Sequence, residues 1–357
     1  MNAIPKILIT APSFDERENV SGVVSVVRLI MKLPGYSFTH FRLGRRDNER
    51  SGIFWMMSQI GSLFSFIRVV GRFDLVHISY SLNPPSILRD FFYGLLARLF
   101  GKKLIVHVHG GKYLTRKPDN FLLDAMIRQL LRHAHRVLVL SAREEQLLQE
   151  NYGHYPVSIL PNCVEFPADI QRSENSGPHL RLLFFGRIHE SKGIWDICEA
   201  MKILVQQKEN VILDAYGKGP EQERFIASCS LAMGERFRYR GVASGSEKWK
   251  VLASYDVLLL PSRYGEGLPM AMLEAMAVGL VVVVTDDASI TTVIEDGTNG
   301  ILVQKNDPRA LAEKIRFLAG NWALVQAIGE KARQTIRSQF TVDNYLYRLD
   351  SIYKQLV

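Results

Sequence analysis

Short apolar runs alternate with longer amphipathic ones along the chain. "KILITAP" (6–12) reads as a buried strand, and the pattern from Val20 to Leu33 reads as a helix. "FDLVHIS" (73–79), "KLIVHVH" (103–109) and "RVLVLS" (136–141) are further strands, with helical stretches over 86–100 and 119–133 between them. The segment 166–179, "FPADIQRSENSGPH", breaks the rhythm: it is rich in Pro, Ser, Asn and Gly, has no period, and reads as a linker. The alternation then restarts. Strands are predicted over 180–188, 211–217, 256–262, 280–285 and 300–303. Helices are predicted over 193–207, from Pro220, over 269–278, 308–317 and 323–338, and over about 342–355. Strand–helix alternation implies parallel sheets with helices on both faces. The expected architecture is α/β: two doubly wound domains, 1–165 and 180–340, with a last helix at 341–357. Ligands of such folds bind at the carboxyl ends of the strands, so a central cleft between the two sheets is expected.

The size agrees, since 357 residues suit two domains of about 150 to 180 residues each. No run reaches the roughly 18 to 20 apolar residues that span a bilayer. The start, "MNAIPKILIT", followed by the charged "APSFDERENV", does not read as a signal peptide. Cys163, Cys198 and Cys229 are an odd set that fits no zinc spacing, which points to a reducing, cytosolic compartment. The net charge of +8 is unevenly placed. Residues 1–165 hold 21 Lys and Arg against 13 Asp and Glu, while the rest holds 23 of each. This field suits an anionic partner such as nucleic acid, an anionic membrane or a phosphorylated substrate; a solvated, arginine-biased surface explains it equally. The segment 53–67 has apolar residues at 53, 56, 57, 60, 63, 64 and 67, with Phe54, Trp55 and Phe66 off that stripe. Arg45, Arg46 and Arg50 precede it, and Arg68 and Arg72 follow. It reads as a crossover helix packed on its sheet, or as a helix lying in a membrane interface.

Candidate chemistry gathers at strand ends. "EGLPMAMLE" (266–274) follows the strand "DVLLLPS". Pro269 suits the first helical position, and the next amides, near Met270 and Ala271, form an anion site with the helix dipole. Gly267 permits close backbone approach to a ligand. Two carboxylates, Glu266 and Glu274, flank that site and suit hydroxyl groups on either side of a phosphate, the layout of a sugar-nucleotide. A surface helix with acidic ends is the plainer alternative. In "FFGRIHESKG" (184–193), Arg187 and Lys192 are the fork and point charge that neutralise a diphosphate, or simply exposed loop cations. No D-x-D triplet occurs, so no metal-presenting carboxylate pair is expected. "LIVHVHGG" (104–111) puts His107 and His109 on one strand face, with His109 at the strand end, able to bond a sugar hydroxyl. A third ligand for a zinc pair is missing, and His107 reads as a core histidine. "YGKGP" (216–220) lacks the full G-x-G-x-x-G fingerprint, which argues against a nicotinamide or flavin enzyme.

"PSRYGEGLPMAMLEAMAVG" (261–279), with "GRIHESKG" before it and "DGTNGILV" (296–303) after it, resembles the donor domain of family 4 retaining glycosyltransferases, which have the GT-B fold. The resemblance is strong over about 180–317 and weaker over 1–165. It implies two Rossmann-like domains facing a central cleft, an N-terminal one for the acceptor and a C-terminal one for the nucleotide-sugar, with the last helix crossing back to the first domain. It further implies that Arg187 and Lys192 hold the diphosphate, and that Glu266 contacts the sugar beside the amides of Gly267 and Leu268. Glu274 would bind the ribose and Val242 lie along the base. Gly22, in "NVSGVV", would approach the phosphates, and His109 would sit near the reacting sugar. Ser21, Val281, Ala288, Ser289 and Thr292 depart from the family's usual residues. The implied activity is retaining transfer of a sugar from a nucleotide diphosphate-sugar to a hydroxyl acceptor, without an obligatory metal or other cofactor. The basic, aromatic first half suits a lipid-linked glycan acceptor at the inner membrane face, in bacterial surface polysaccharide assembly, and no nucleic acid partner is expected. A sugar-nucleotide epimerase of the same fold and a non-catalytic sugar-nucleotide-binding protein are the alternatives.

Overall fold

The computed structural model describes residues 4–15, 18, 21–44, 53–166, 170, 172, 179–287 and 289–357, with backbone alone for 53–57. Val20, Arg45, Arg46, Arg50, Ala288, the side chains of Phe54 and Trp55, and most of the 166–179 segment lie outside the described residues. The chain divides into two compact units, one of residues 1–162 with 342–357, the other of 163–341.

The first unit runs β1 (Lys6–Ala11), α1 (Gly22–Ile30), β2 (Ser37–Arg42), α2 (Ile53–Val70), β3 (Leu75–Tyr80), α3 (Pro84–Leu99), β4 (Lys103–Val108), α4 (Phe121–His133), β5 (Arg136–Val139), α5 (Ala142–Tyr152) and β6 (Val157–Ile159). Its strands form one parallel sheet in the order β2-β1-β3-β4-β5-β6. The central strands are apolar and buried, as expected where helices cover both faces. Ser21 caps α1, its hydroxyl accepting from the Val23 amide at 3.3 Å.

The segment 53–67 is part of the crossover helix α2, but its inward face differs from the stripe read in the sequence. Among its described side chains, those from residue 58 on, Phe66 and Val70 are buried, and the Phe66 ring packs edge-on against Phe41 and Tyr93. Ile60 and Phe64, both on the stripe, are more than half exposed. The helix is apolar nearly all round, so periodicity alone does not choose the face. The aromatic pocket offered by Phe41 and Tyr93 does.

The last helix of the chain, which we number α12 (Val342–Lys354), belongs to this unit. Tyr36 donates a hydrogen bond to Asp350 at 3.0 Å, and the Tyr353 hydroxyl lies 2.7 Å from His77 Nδ1.

The second unit contains β7 (Leu180–Phe185), α6 (Ile194–Gln206), β8 (Val211–Tyr216), α7 (Gln222–Met233), β9 (Phe237–Tyr239), α8 (Gly245–Ala253), β10 (Val257–Leu260), α9 (Met270–Ala277), β11 (Val281–Thr285), β12 (Ile301–Val303), α10 (Pro308–Ala319) and α11 (Trp322–Gln339). Its parallel sheet has the order β12-β11-β10-β7-β8-β9. Buried Asp256, ahead of β10, accepts from the Arg181 amide at 2.9 Å and from its guanidinium at 2.8 Å, which ties β10 to β7. The loop 216–220 lies backbone to backbone on residues 186–188. Gly217 has φ +140°, and a Cβ there would stand 1.8 Å from the Gly186 carbonyl oxygen. The glycines of "YGKGP" thus serve close packing of two strand-end loops. Gly217→Ala is expected to destabilise the protein by about 1–3 kcal/mol, measured as a lower urea midpoint.

Candidate active site

The carboxyl end of β10 leads into residues 261–269, and this loop is stitched to the one that follows β7. The Arg263 amide donates to the Ser191 carbonyl at 2.8 Å, and its guanidinium grips Asp196 at 2.8 and 3.0 Å. Tyr264 donates to Glu190 at 2.7 Å. Gly193, at φ +69°, comes so close to Pro261 that a Cβ would meet its carbonyl oxygen at 2.0 Å. Lys192 therefore lies beside Glu266: its ammonium is 2.5 Å from Glu266 Oε1. The same oxygen accepts from the Ser262 hydroxyl at 2.6 Å. The Glu266 amide donates to Asp287 at 3.0 Å, and Asp287 in turn pairs with Lys305 at 3.0 Å. Burial pushes the Asp287 carboxyl up, against the pull of Lys305.

Helix α9 starts one residue later than its sequence suggests. Pro269 has φ −64° and ψ 124°, so it is the capping residue outside the helix, and its carbonyl takes the first helical bond, from Leu273 at 3.2 Å. The amides of Met270, Ala271 and Met272 precede that bond and carry the positive end of the helix dipole. Glu274, one turn on, is buried, and its Oε1 is 2.7 Å from the Lys248 ammonium. Burial raises the Glu274 carboxyl, and Lys248 opposes the rise.

The other predicted residues are distributed as follows. Gly267, Leu268 and Pro269 line the turn between the two glutamates. Arg187 is exposed at the end of β7, and Val242 is exposed in the loop after β9. Gly22 opens α1 and His109 follows β4, both in the first unit. There His77, His107 and His109 form a stack: His77 Nε2 lies 3.3 Å from His107 Nδ1, and the rings of His107 and His109 are 4.1 Å apart. Among the described residues, the enclosed Nε2 atoms of His107 and His109 have no hydrogen-bond partner. Among the described residues no three His, Cys, Asp or Glu side chains converge as metal ligands. Sequence reasoning missed Ser262, Lys248, Asp287 and Lys305. Only Ser262 had a local signal, standing four residues before Glu266 at a strand end.

Residues 15–163 match the model of the glycosyl transferase 4-like domain, and residues 166–335 that of glycosyl transferases group 1. The chain belongs to the family 4 glycosyltransferases. An uncharacterized glycosyltransferase of Methanocaldococcus jannaschii is 25% identical over 85% of this chain and 79% of its own. An amylovoran biosynthesis glycosyltransferase of Erwinia amylovora is 31% identical over 50% of this chain and 45% of its own. HepE of Anabaena, solved with UDP and glucose, has the same GT-B fold: the TM-score is 0.77 at 15% identity, covering 99% of this glycosyltransferase and 100% of HepE.

The histidine stack of the glycosyltransferase gives it a signature in acid. Burial is the largest cause holding all three imidazoles below the ordinary range, His77 at about 3 and His109 at about 4. A depressed histidine contributes its full stability above the unfolded value near 6.5. That stability is lost as pH falls towards the folded value, because only the unfolded chain takes up the proton. The first unit is expected to lose about 1.4 kcal/mol per pH unit for each such histidine below pH 6.5. Hydrogen exchange of β3 and β4 amides at pH 7 and pH 5 reads this loss, and His107→Gln should reduce it.

Proposed function

We propose that this glycosyltransferase moves a sugar from a nucleotide diphosphate-sugar to a hydroxyl of a glycan or lipid-linked glycan, in bacterial surface polysaccharide assembly. We further propose that it retains the anomeric configuration and needs no metal or other cofactor. The observation that carries the donor reading is the placement of Glu266 and Glu274, two buried carboxylates on either side of the first turn of α9. That turn supplies amide dipoles for a diphosphate, and the carboxylates accept from sugar and ribose hydroxyls. HepE, which shares the fold, binds UDP and glucose, and the Erwinia amylovora relative acts in amylovoran biosynthesis.

The chemistry assigned to the site is electrostatic. Arg187, Lys192 and the amides of Gly267 and Leu268 neutralise the diphosphate as it leaves, while the acceptor attacks from the same face. Lys192 rests on Glu266. A diphosphate offers its ammonium a denser negative charge, and the exchange leaves Glu266 to the sugar. Val242 is assigned to the base, Gly22 to the phosphates and His109 to a sugar hydroxyl. Arg187 and Lys192 would supply the positive charge that a metal supplies to a leaving diphosphate, and metal independence is proposed on that ground.

Membrane attachment is proposed for the first unit. Exposed Ile60 and Phe64 on α2, and Leu88, Phe92 and Leu99 on α3, form apolar stripes on two helices that pack together. The chain's excess positive charge lies in the same half. Among the described residues no helix is long and apolar enough to cross a membrane. The proposal is therefore a cytoplasmic enzyme, peripheral at the inner face of the membrane.

Arg187→Ala and Lys192→Met are each expected to lower turnover about 10²- to 10³-fold. Wild-type turnover should survive EDTA, and proton NMR of the product should show the donor's anomeric configuration. Isomerised donor formed without any acceptor would favour an epimerase instead. Anionic liposomes should sediment the protein at low salt and release it at high salt, and Phe64→Ser should weaken the binding; salt-independent absence of binding would refute the peripheral assignment.

A further inference from the structure

Lys248 lies outside every motif that marks the donor site, yet it makes the ion pair to Glu274. It stands in the first turn of α8, which begins where the loop bearing Val242 ends. Its ammonium lies over the Trp249 ring at 5.0 Å, and the Lys248 side chain is about one-fifth exposed, against 7% for that of Glu274. Helix α9 packs against α8, α11, β10 and β11. Among the described residues, Lys248 is the charged group that these elements bring onto Glu274. We propose that Lys248 is a positioning residue for the nucleotide: it keeps Glu274 ionised in its buried site and fixes Oε1, so that Oε2 is presented to the ribose hydroxyls.

This rests on the reading that Glu274 meets the ribose. The ribose diol carries two O–H donors and needs an acceptor. An ionised carboxylate accepts on both oxygens and makes a charge-assisted bond, whereas a protonated one gives up acceptor capacity and adds a donor. A buried glutamate deprived of its cation takes up a proton. The lysine therefore acts through the glutamate, and its removal should appear as a pH dependence and not as a uniform loss.

The test is titration calorimetry with UDP, GDP and ADP on wild type, Lys248→Met, Lys248→Arg and Glu274→Gln, from pH 6.5 to 9.0. Each variant's Kd is compared with wild type at the same pH, which cancels titration of the phosphate. Lys248→Met is expected to bind about 10-fold or more weakly at pH 6.5 and to recover towards wild type by pH 9.0, as Glu274 loses its proton. Lys248→Arg should restore binding, and Glu274→Gln should stay weak throughout. A loss in Lys248→Met that is equal at every pH, or no loss, overturns the proposal. Glu274→Gln binding like wild type overturns the ribose assignment, whatever Lys248→Met does. Wild type that binds none of the three nucleotides overturns the donor reading and this proposal with it.

Discussion

Among the described residues of the second unit, a buried carboxylate paired with a lysine ammonium recurs three times: Glu266 with Lys192, Glu274 with Lys248, and Asp287 with Lys305. Taking a carboxylate out of water costs several kcal/mol unless a cation or hydrogen bonds compensate. Each lysine comes from a different element than its partner. Parallel pairing of β10 with β7 and β11, and of β11 with β12, lines up the loops that leave their carboxyl ends. Lys192 follows β7, Glu266 follows β10, Asp287 follows β11 and Lys305 follows β12. The strand order thus makes two of the charge pairs possible, and the packing of α8 on α9 makes the third; together they let acidic groups persist beside the first turn of α9.

That dependence explains which parts of the site are legible in the chain. The E-x7-E stretch could be read because strand, glycine, proline and both acids are contiguous. Lys192, in a short loop after a strand, could be read for the same reason, and the structure sets it beside Glu266. Lys248 and Lys305 gain their meaning from partners 26 and 18 residues away. No local pattern marks such pairs, because sheet order and helix packing create them. Pro269 was legible as a helix start but not to the residue, since its fixed φ suits the cap as well as the first turn.

The fold shows the same division. Central strands are continuous apolar runs and announce themselves. The edge strands β2, β6 and β9 do not: β2 alternates exposed and half-buried residues, and the other two are short and largely unburied, whereas the equally short edge strand β12 is apolar throughout and can be read. Helices α5 and α8 are too polar to stand out. In α2 the period is visible but the buried face is not, because both faces are apolar and Phe41 and Tyr93 decide between them.

The hydrogen bonds from α12 to Tyr36 and His77 bear on how the molecule is made. A ribosome releases residues 342–354 only after all of the second unit, so the earlier-made sheet waits for its Tyr353 contact to His77 until those residues are made. The later-made unit, closed on itself by pairing of Val164 with Thr341, is the first whose full set of residues is available. Birth order and order of completion are therefore reversed along this polypeptide.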